Sequence, residues 1–261
     1  MFTFRTTTII FFLFLLLMNI LIFTGIHIHF IFYILLITVY IAVSVTASFF
    51  ICSGFHLKAL CNRRTEHKVI SITFDDGPHP VNTREILDIL KDRTKATFFC
   101  IGSKMEENKS LVRRMNSEGH LIGTHSYSHS NWFDFFSSGR MERELLKSEE
   151  TVFNITGKKP LLFRPPYGVI NPMLKKALAS FSYHIIGYSN RSLDTVTKNE
   201  NKVLERLIRK LRPGDIVLLH ETVPFAPTLL KKFLYQVADK GYIVIGLDEL
   251  LNIKPYEQKQ G

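Results

Sequence analysis

The feature that most constrains this chain is a long segment without a charged side chain. Between Arg5 and Lys58 the sequence has no Asp, Glu, Lys or Arg, and most of its residues are apolar. This segment is far longer than the apolar core of a cleavable signal peptide, which is about 7–15 residues. The rest of the chain could not cover so much apolar surface as the core of one soluble domain. The sequence therefore predicts an integral membrane region.

The length of this segment allows two membrane spans. A spanning helix needs about 20 apolar residues, so we predict helices at about 7–24 and 30–52, with the turn near Gly25. A single long span preceded by an interfacial segment is the alternative. The membrane region is then 1–57, and 58–261 forms one soluble domain of a size typical for a single core.

Charge and cysteines limit the partners and the compartment. The formal net charge is +10, but there is no basic-aromatic motif or zinc-knuckle spacing, so we expect no nucleic-acid partner. Contact with anionic membrane lipid is the better explanation of the positive charge. Cys52, Cys61 and Cys100 show no paired spacing, which favours a reducing compartment and argues against a cysteine metal site.

The soluble domain alternates short apolar runs with amphipathic segments. We predict strands in the seven apolar runs, at 69–74, 96–101, 120–123, 161–163, 184–188, 215–219 and 242–246. The segments between them indicate helices, the first capped by Asn82 and a long one ending at Gly157. Such alternation predicts an α/β fold with a parallel sheet. Seven units suit a distorted (β/α)7 barrel, in which the chemistry lies at the carboxyl ends of the strands.

Polar side chains stand at the ends of the first and third predicted strands. Asp75 and Asp76 precede Gly77-Pro78, which alone would be an ordinary turn. His125 and His129 are four residues apart, a spacing that places both imidazoles on one face of a helical turn. A carboxylate and two histidines at one barrel mouth would form a three-ligand metal site with room for water.

Two later strands also end in residues that can carry chemistry. The fourth ends in Phe163-Arg164-Pro165-Pro166-Tyr167-Gly168 and the sixth in Leu218-Leu219-His220. Taken alone, the segment after the fourth strand predicts a stiff loop with a surface arginine, and the end of the sixth strand predicts a histidine at the rim of the barrel. A functional role for either segment is indicated only together with the residues at the other strand ends.

In the order TFDDGP, HSYSH, RPPYG, a later Asp and LLH, these segments resemble the polysaccharide deacetylases that have a nodulation-type deacetylase domain, carbohydrate esterase family four. The resemblance covers about 68–250. It implies a hydrolase of non-peptide carbon–nitrogen bonds that removes N-acetyl groups from amino sugars of a polysaccharide or a lipid-linked saccharide. A formyl group in place of acetyl is compatible with it.

The resemblance also assigns roles to residues near the first strand. Asp76, His125 and His129 match the ligands of a divalent metal ion, usually Zn²⁺. Asp75 matches the general base and Arg164 the residue paired with it.

The remaining roles fall on the later segments. His220 matches the general acid, and Asp194 the carboxylate that orients it. The backbone amide of Tyr167 matches an oxyanion donor, and Leu218 matches part of the pocket for the acetyl methyl. The sequence departs from the family at Thr195, where an aromatic residue is frequent, so the resemblance does not define the pocket wall on that side or the choice of substrate.

Two other functions and two membrane sides stay open from the sequence. The chain could be a catalytically silent, membrane-anchored sugar-binding protein, or a metal-dependent amidohydrolase for a non-sugar amide. The complete set of base, acid and ligands favours the enzyme. In a bacterial cytoplasmic membrane, the basic flank with Lys58, Arg63, Arg64 and Lys68 predicts a cytoplasmic domain. An external domain is the alternative, since large domains can be exported despite flanking charge.

Overall fold

The computed structural model describes residues 3–257 and begins with two apolar helices that form a hairpin. Helix α1 spans Phe4–Phe23 and α2 spans Ile31–Ser48. Both are long and apolar enough to cross a membrane, and their side chains are largely exposed. Two such helices were predicted, but the second ends earlier than 52 because the amides of Phe49 and Phe50 turn back onto carbonyls three residues before them.

The hairpin is held by contacts near its open end. The hydroxyls of Thr8 and Tyr40 are 3.0 Å apart, and the rings of Phe11 and Tyr40 are 4.6 Å apart. Helix α1 begins before the predicted residue 7 because Thr3 caps it, with its side chain accepting a hydrogen bond from the amide of Thr6.

The linker that follows α2 packs onto the soluble domain. Ile51 and Phe55 are buried, and Leu60 forms a parallel bridge with Ile186. Cys52 and Cys61 form a disulfide with a Cα–Cα distance of 5.9 Å. The expectation of unpaired cysteines is therefore wrong for these two, because the linker turns back on itself and brings them together.

Within residues 3–257, eight strands pair in parallel in one curled sheet. The order is β5-β4-β3-β2-β1-β7-β6, and β8 pairs with the first residues of β1. The strands are β1 Val69–Gly77, β2 Thr97–Cys100, β3 Leu121–Thr124, β4 Leu162–Phe163, β5 His184–Ile185, β6 Asn190–Arg191, β7 Ile216–His220 and β8 Ile243–Val244. The predicted distorted (β/α)7 barrel is confirmed. Strand β6 was not predicted, because two polar residues make no apolar run.

Most of the helices cover the outer face of the sheet. They are α3 Asn82–Leu90, α4 Gly102–Glu107, α5 Lys109–Ser117, α6 Ser138–Thr156, α7 Pro172–Ala177, α8 Glu200–Lys210 and α9 Ala226–Asp239. Helix α10, Leu247–Leu251, packs instead against Phe99 and Ile216 on the inner face. Helix α6 ends at Gly157 in the left-handed conformation, as predicted. The predicted cap at Asn82 is wrong, because its side chain donates to the carbonyls of Glu221 and Val223 instead.

Alternation along β1 places the first functional side chain. Ile70, Ile72 and Phe74 are completely buried and belong to the core that packs under the helices. Side chains two apart share one face of a strand, so Thr73 and Asp75 point to the opposite face, into the barrel. Burial of each large apolar side chain stabilises this arrangement by roughly 1.5–3 kcal/mol.

Candidate active site

A buried ion pair lies at the carboxyl end of β1. Arg164 is completely buried, and its Nη1 donates to Asp75 Oδ1 at 2.7 Å and to Thr73 Oγ1 at 2.8 Å. Its Nε donates to the carbonyl of Ile186 at 3.1 Å, and its Nη2 to that of Gly187 at 2.8 Å. All three guanidinium nitrogens thus have partners, as a buried charge requires. The predicted pairing of Asp75 with Arg164 is present.

The backbone at Asp76 separates the two neighbouring carboxylates. The β1–β2 register shifts between Asp75 and Gly77, and Asp76 has a φ of 67°. Lys104 Nζ on α4 donates to the carbonyl of Asp76 at 2.8 Å and so holds this unusual conformation. A Cβ on Gly77 would collide with the side chain of Glu221. The bulge therefore lets Asp76 point away from the Asp75–Arg164 pair.

Asp76 meets both predicted histidine ligands. Its Oδ1 lies 3.5 Å from His125 Nε2 and 3.2 Å from His129 Nε2, and the three potential ligand atoms lie within 4.8 Å of one another. Ligands about 2.0–2.1 Å from a tetrahedral Zn²⁺ are separated by about 3.3 Å. The donor set of one carboxylate and two imidazoles, at this spacing, fits a divalent metal ion with a position left for water or substrate.

The two histidines are brought together by a loop, so the expected helical turn is wrong. His125 follows the end of β3, and Ser126 and His129 have φ angles of 61° and 47°. Glu144 on α6 holds the loop, with its Oε2 accepting from the amide and the hydroxyl of Ser128 at 2.7 and 2.9 Å. The loop conformation depends on Glu144, which lies far along the chain, so the spacing of the two histidines alone could not predict it.

Hydrogen bonds and charge prepare these side chains to bind a metal. The 2.7 Å contact between His125 Nδ1 and the carbonyl of Arg164 leaves Nε2 free to face Asp76. Burial raises the pKa of Asp76, but its hydrogen bond to His125 and the nearby imidazoles outweigh burial and lower it overall. Burial and the neighbouring His125 lower the pKa of His129 to about 4. At neutral pH Asp76 is ionised and His129 is neutral, the states in which both can bind a cation.

A second pair stands on the neighbouring strand. His220 is the β7 partner of Asp75 on β1. Its Nδ1 donates to Asp194 Oδ1 at 2.7 Å, and its backbone amide donates to Asp194 Oδ2 at 2.9 Å. Burial lowers the pKa of His220, but the hydrogen bond and charge of Asp194 raise it by more, so the net shift is upward.

Leu218 and Tyr167 are the remaining two predicted site residues. Leu218 precedes His220 by two residues, so both side chains lie on one face of β7, and Leu218 is almost fully buried. Tyr167 has a φ of 58°, and its ring lies 4.8 Å from that of His129. Its hydroxyl donates to Asn131 Oδ1 at 3.1 Å, whereas its amide has no hydrogen-bond partner within residues 3–257. The roles of Leu218 and of this amide stay predictions.

The structure thus places all nine predicted residues around the carboxyl ends of β1, β3, β4, β6 and β7. It also shows supporting residues that the sequence analysis missed, namely Thr73, Lys104, Glu144 and Glu221. None of them belongs to the predicted metal or acid–base set. Lys104 binds Asp76 itself, whereas Glu144 and Glu221 contact the neighbouring residues Ser128 and Gly77 from other elements. Only Thr73, two residues before Asp75, carried a local signal.

Comparison with known proteins agrees with this geometry. Residues 62–186 match the family model described as polysaccharide deacetylase. The peptidoglycan-N-acetylglucosamine deacetylase of Bacillus cereus is 34% identical over 197 residues, which cover 72% of this chain and 90% of that protein. The peptidoglycan-N-acetylglucosamine deacetylase PgdA of Listeria monocytogenes is 34% identical over 204 residues, 78% of this chain but only 42% of that longer protein.

A solved structure shows the same fold. The crystal structure of the peptidoglycan N-acetylglucosamine deacetylase Bc1960, in complex with 4-naphthalen-1-yl-N-oxidanyl-benzamide, superposes with a TM-score of 0.70 at 28% identity. The match covers 76% of this chain and 94% of that one. The chain therefore belongs to the polysaccharide deacetylase family, hydrolases that act on carbon–nitrogen bonds other than peptide bonds.

Proposed function

We propose that this chain removes the N-acetyl group from amino sugars of peptidoglycan and that it does so with a bound divalent metal ion, Zn²⁺ by preference. The observation that carries the proposal is the pairing of Asp75 and His220 on adjacent strands, beside the Asp76–His125–His129 cluster. This places one candidate base and one candidate acid next to a three-ligand site. The names of the relatives support peptidoglycan as the substrate.

Asp75 is suited to take a proton from the attacking water. Arg164 binds its Oδ1, so the free Oδ2 faces the metal cluster, 3.9 Å from His125 Nε2. A metal ion held by Asp76, His125 and His129 would supply Lewis acidity, which activates water and polarises a carbonyl. Arg164 keeps the Asp75 carboxylate in one orientation, which is a requirement for a general base.

The other groups stabilise the charge on the carbonyl oxygen and protonate the leaving amine. As water adds to the acetyl carbon, negative charge develops on the carbonyl oxygen, and the free Tyr167 amide can donate to it. One such donor is worth about 3–4 kcal/mol. His220, whose Nδ1 is tied to Asp194, has Nε2 available to protonate the sugar nitrogen as the carbon–nitrogen bond breaks. The products are acetate and a free amine.

The substrate is tested by acetate release from a panel of compounds. We expect the full chain, in detergent with added Zn²⁺, to release acetate from peptidoglycan glycan strands and chito-oligosaccharides. A simple N-acetyl amide without a sugar should be inert, and an N-formyl sugar should show whether the pocket prefers acetyl. Turnover of the non-sugar amide at the same rate as the glycan would support the amidohydrolase and contradict our assignment.

Mass analysis of the same products identifies the sugar. Peptidoglycan contains both N-acetylglucosamine and N-acetylmuramic acid, and we expect the loss of acetyl on N-acetylglucosamine. Loss confined to N-acetylmuramic acid would contradict that choice, although it would leave the deacetylase chemistry intact.

The disulfide supports a proposal about the membrane side of the catalytic domain. We propose that α1 and α2 anchor the chain in a bacterial cytoplasmic membrane with the catalytic domain outside. Disulfides form and persist outside the cytosol, and Cys52–Cys61 lies in the linker directly after α2. This reverses the cytoplasmic placement inferred from the basic flank and from unpaired cysteines. Large domains are exported despite flanking Lys and Arg, so the basic flank is compatible with a catalytic domain outside the cytoplasm.

Thiol counting and a topology reporter test this placement. We expect one thiol, Cys100, to react when the protein is denatured without reductant, and three to react when it is denatured with reductant. Alkaline phosphatase fused after Gly261 should be active, and a fluorescent protein fused there should be dark. Three thiols without reductant, together with an inactive phosphatase, would return the domain to the cytoplasm.

A further inference from the structure

A short stretch of backbone connects the end of α2 to the candidate metal site. The carbonyl of Ser48, the last residue of α2, accepts a hydrogen bond from the amide of Ile170 at 3.0 Å. Ile170 is three residues after Tyr167, whose ring lies 4.8 Å from that of His129. Because three residues span at most about 11 Å, His129 lies within about 25 Å of the end of α2.

A loop at the same end of the domain exposes aromatic side chains. Trp132 and Phe135 are 69% and 81% exposed, and their rings are 5.9 Å apart. Between them, the carbonyl of Asp134 accepts a hydrogen bond at 2.8 Å from Asn171, the residue after Ile170. The loop is therefore fixed to the same backbone segment that binds the end of α2.

More exposed aromatic surface follows α2 directly. Phe49 and Phe50 are 64% and 63% exposed. They continue the exposed apolar surface of the hairpin beyond the last residue of α2. We call the four exposed side chains Phe49, Phe50, Trp132 and Phe135 the aromatic rim.

Positive charge accompanies the rim. Helix α7 begins directly after Asn171 and carries exposed Lys175 and Lys176. Ile170, two residues before α7, binds the carbonyl of Ser48, and Ser48 Oγ lies 3.0 Å from His56 Nε2, so the start of α7 stands beside the linker. Lysines at this position suit the anionic headgroups of a phospholipid membrane.

We propose that the aromatic rim lies in the headgroup layer of the membrane that holds α1 and α2, so that the catalytic mouth opens at the bilayer surface. Aromatic side chains are enriched at this depth, and an apolar patch left in water marks an interaction site. Continuity with α2 selects the membrane over a soluble saccharide as the partner of the rim. The inference rests on the proposed function and narrows the substrate to an amino sugar that is attached to a lipid carrier in the membrane.

The single tryptophan of the chain provides a direct probe. Trp132 is the only tryptophan in the sequence, so the fluorescence of the full chain in lipid nanodiscs reports this loop alone. We expect a blue-shifted emission, quenching by lipids brominated near the top of their acyl chains, and little quenching by acrylamide. Flotation with lipid vesicles first establishes that the chain is inserted.

A matched control moves the probe to another exposed surface. In the Trp132→Phe, Tyr235→Trp variant, the tryptophan lies on α9 at a position that is 75% exposed. It should be quenched by acrylamide and not by brominated lipid. If Trp132 behaves like this control in an inserted protein, the proposal is wrong. An emission shift caused by chito-oligosaccharide without lipid quenching would make the rim a sugar-binding surface and would also overturn it.

An activity comparison tests the consequence for the substrate. The Trp132→Ser, Phe135→Ser variant should lose about tenfold in kcat/KM on a lipid-linked N-acetylglucosamine in the same nanodiscs. Its rate on a soluble chito-oligosaccharide should be unchanged, since neither residue belongs to the acid–base or metal set. Equal losses on both substrates would contradict a membrane role. If wild type releases no acetate from either substrate, the proposed function fails, while the fluorescence result still decides where the rim lies.

Discussion

Asp75→Asn is expected to lower kcat by about 10²- to 10⁴-fold, the usual contribution of a general base, while bound metal stays at one equivalent. The amide keeps the shape of the carboxylate but cannot accept the proton of water. Asp76→Ala removes a ligand atom instead, so it should lose both metal and activity. Metal content by mass spectrometry and acetate release from one preparation of each variant separate the two effects.

Folding must be checked in these variants, because Asp75 neutralises a buried guanidinium. Breaking a buried ion pair by removing one partner often costs about 3–5 kcal/mol. Arg164 keeps Thr73 and two carbonyls as acceptors in Asp75→Asn, so we expect a lower Tm but a folded protein. A folded Asp75→Asn that retains a near-normal rate would show that Asp75 is not the base.

Activity should fall at high pH as His220 loses its proton. Asp194 raises the pKa of His220, so the imidazolium persists to a higher pH than an ordinary histidine, and the basic limb lies above that ordinary value. His220→Ala should remove this limb and lower kcat by about 10²- to 10⁴-fold. Rates measured from pH 5 to 10 at saturating substrate test this.

Asp194→Asn is the matched variant for the same limb. It removes the negative charge but can preserve a hydrogen bond, so the basic limb should move to lower pH by about 1 unit or more. The acidic limb should stay in place. A basic limb that is unchanged in both variants would assign the proton donor to another group.

The sequence was most informative where chemistry follows a strand. Alternation of apolar runs and helices predicted the barrel, and the carboxyl ends of its strands carry Asp75, Asp76, His125, Arg164 and His220 close together, as expected. Strand ends converge whatever the details of the loops, because parallel strands place their carboxyl ends on one edge. Residues in these positions can therefore be associated with one another from the sequence alone.

Features that depend on distant partners could not be read from local patterns. The His125–His129 loop has positive φ angles that Glu144 on another helix supports. Similarly, Cys52 and Cys61 pair only because the linker folds against the barrel. In both segments, contacts with residues far along the chain decide the backbone conformation, and the local sequence does not.

The most direct test of the account is to measure acetate and new primary amine together. The full wild-type chain, loaded with one equivalent of Zn²⁺, is incubated with a peptidoglycan glycan strand, and Asp75→Asn with the same metal content is run beside it. We predict equal amounts of acetate and amine over many turnovers by wild type, and at least about a hundredfold less from the variant. Binding of the strand by metal-loaded wild type without release of either product would contradict catalysis and make the chain a sugar-binding protein.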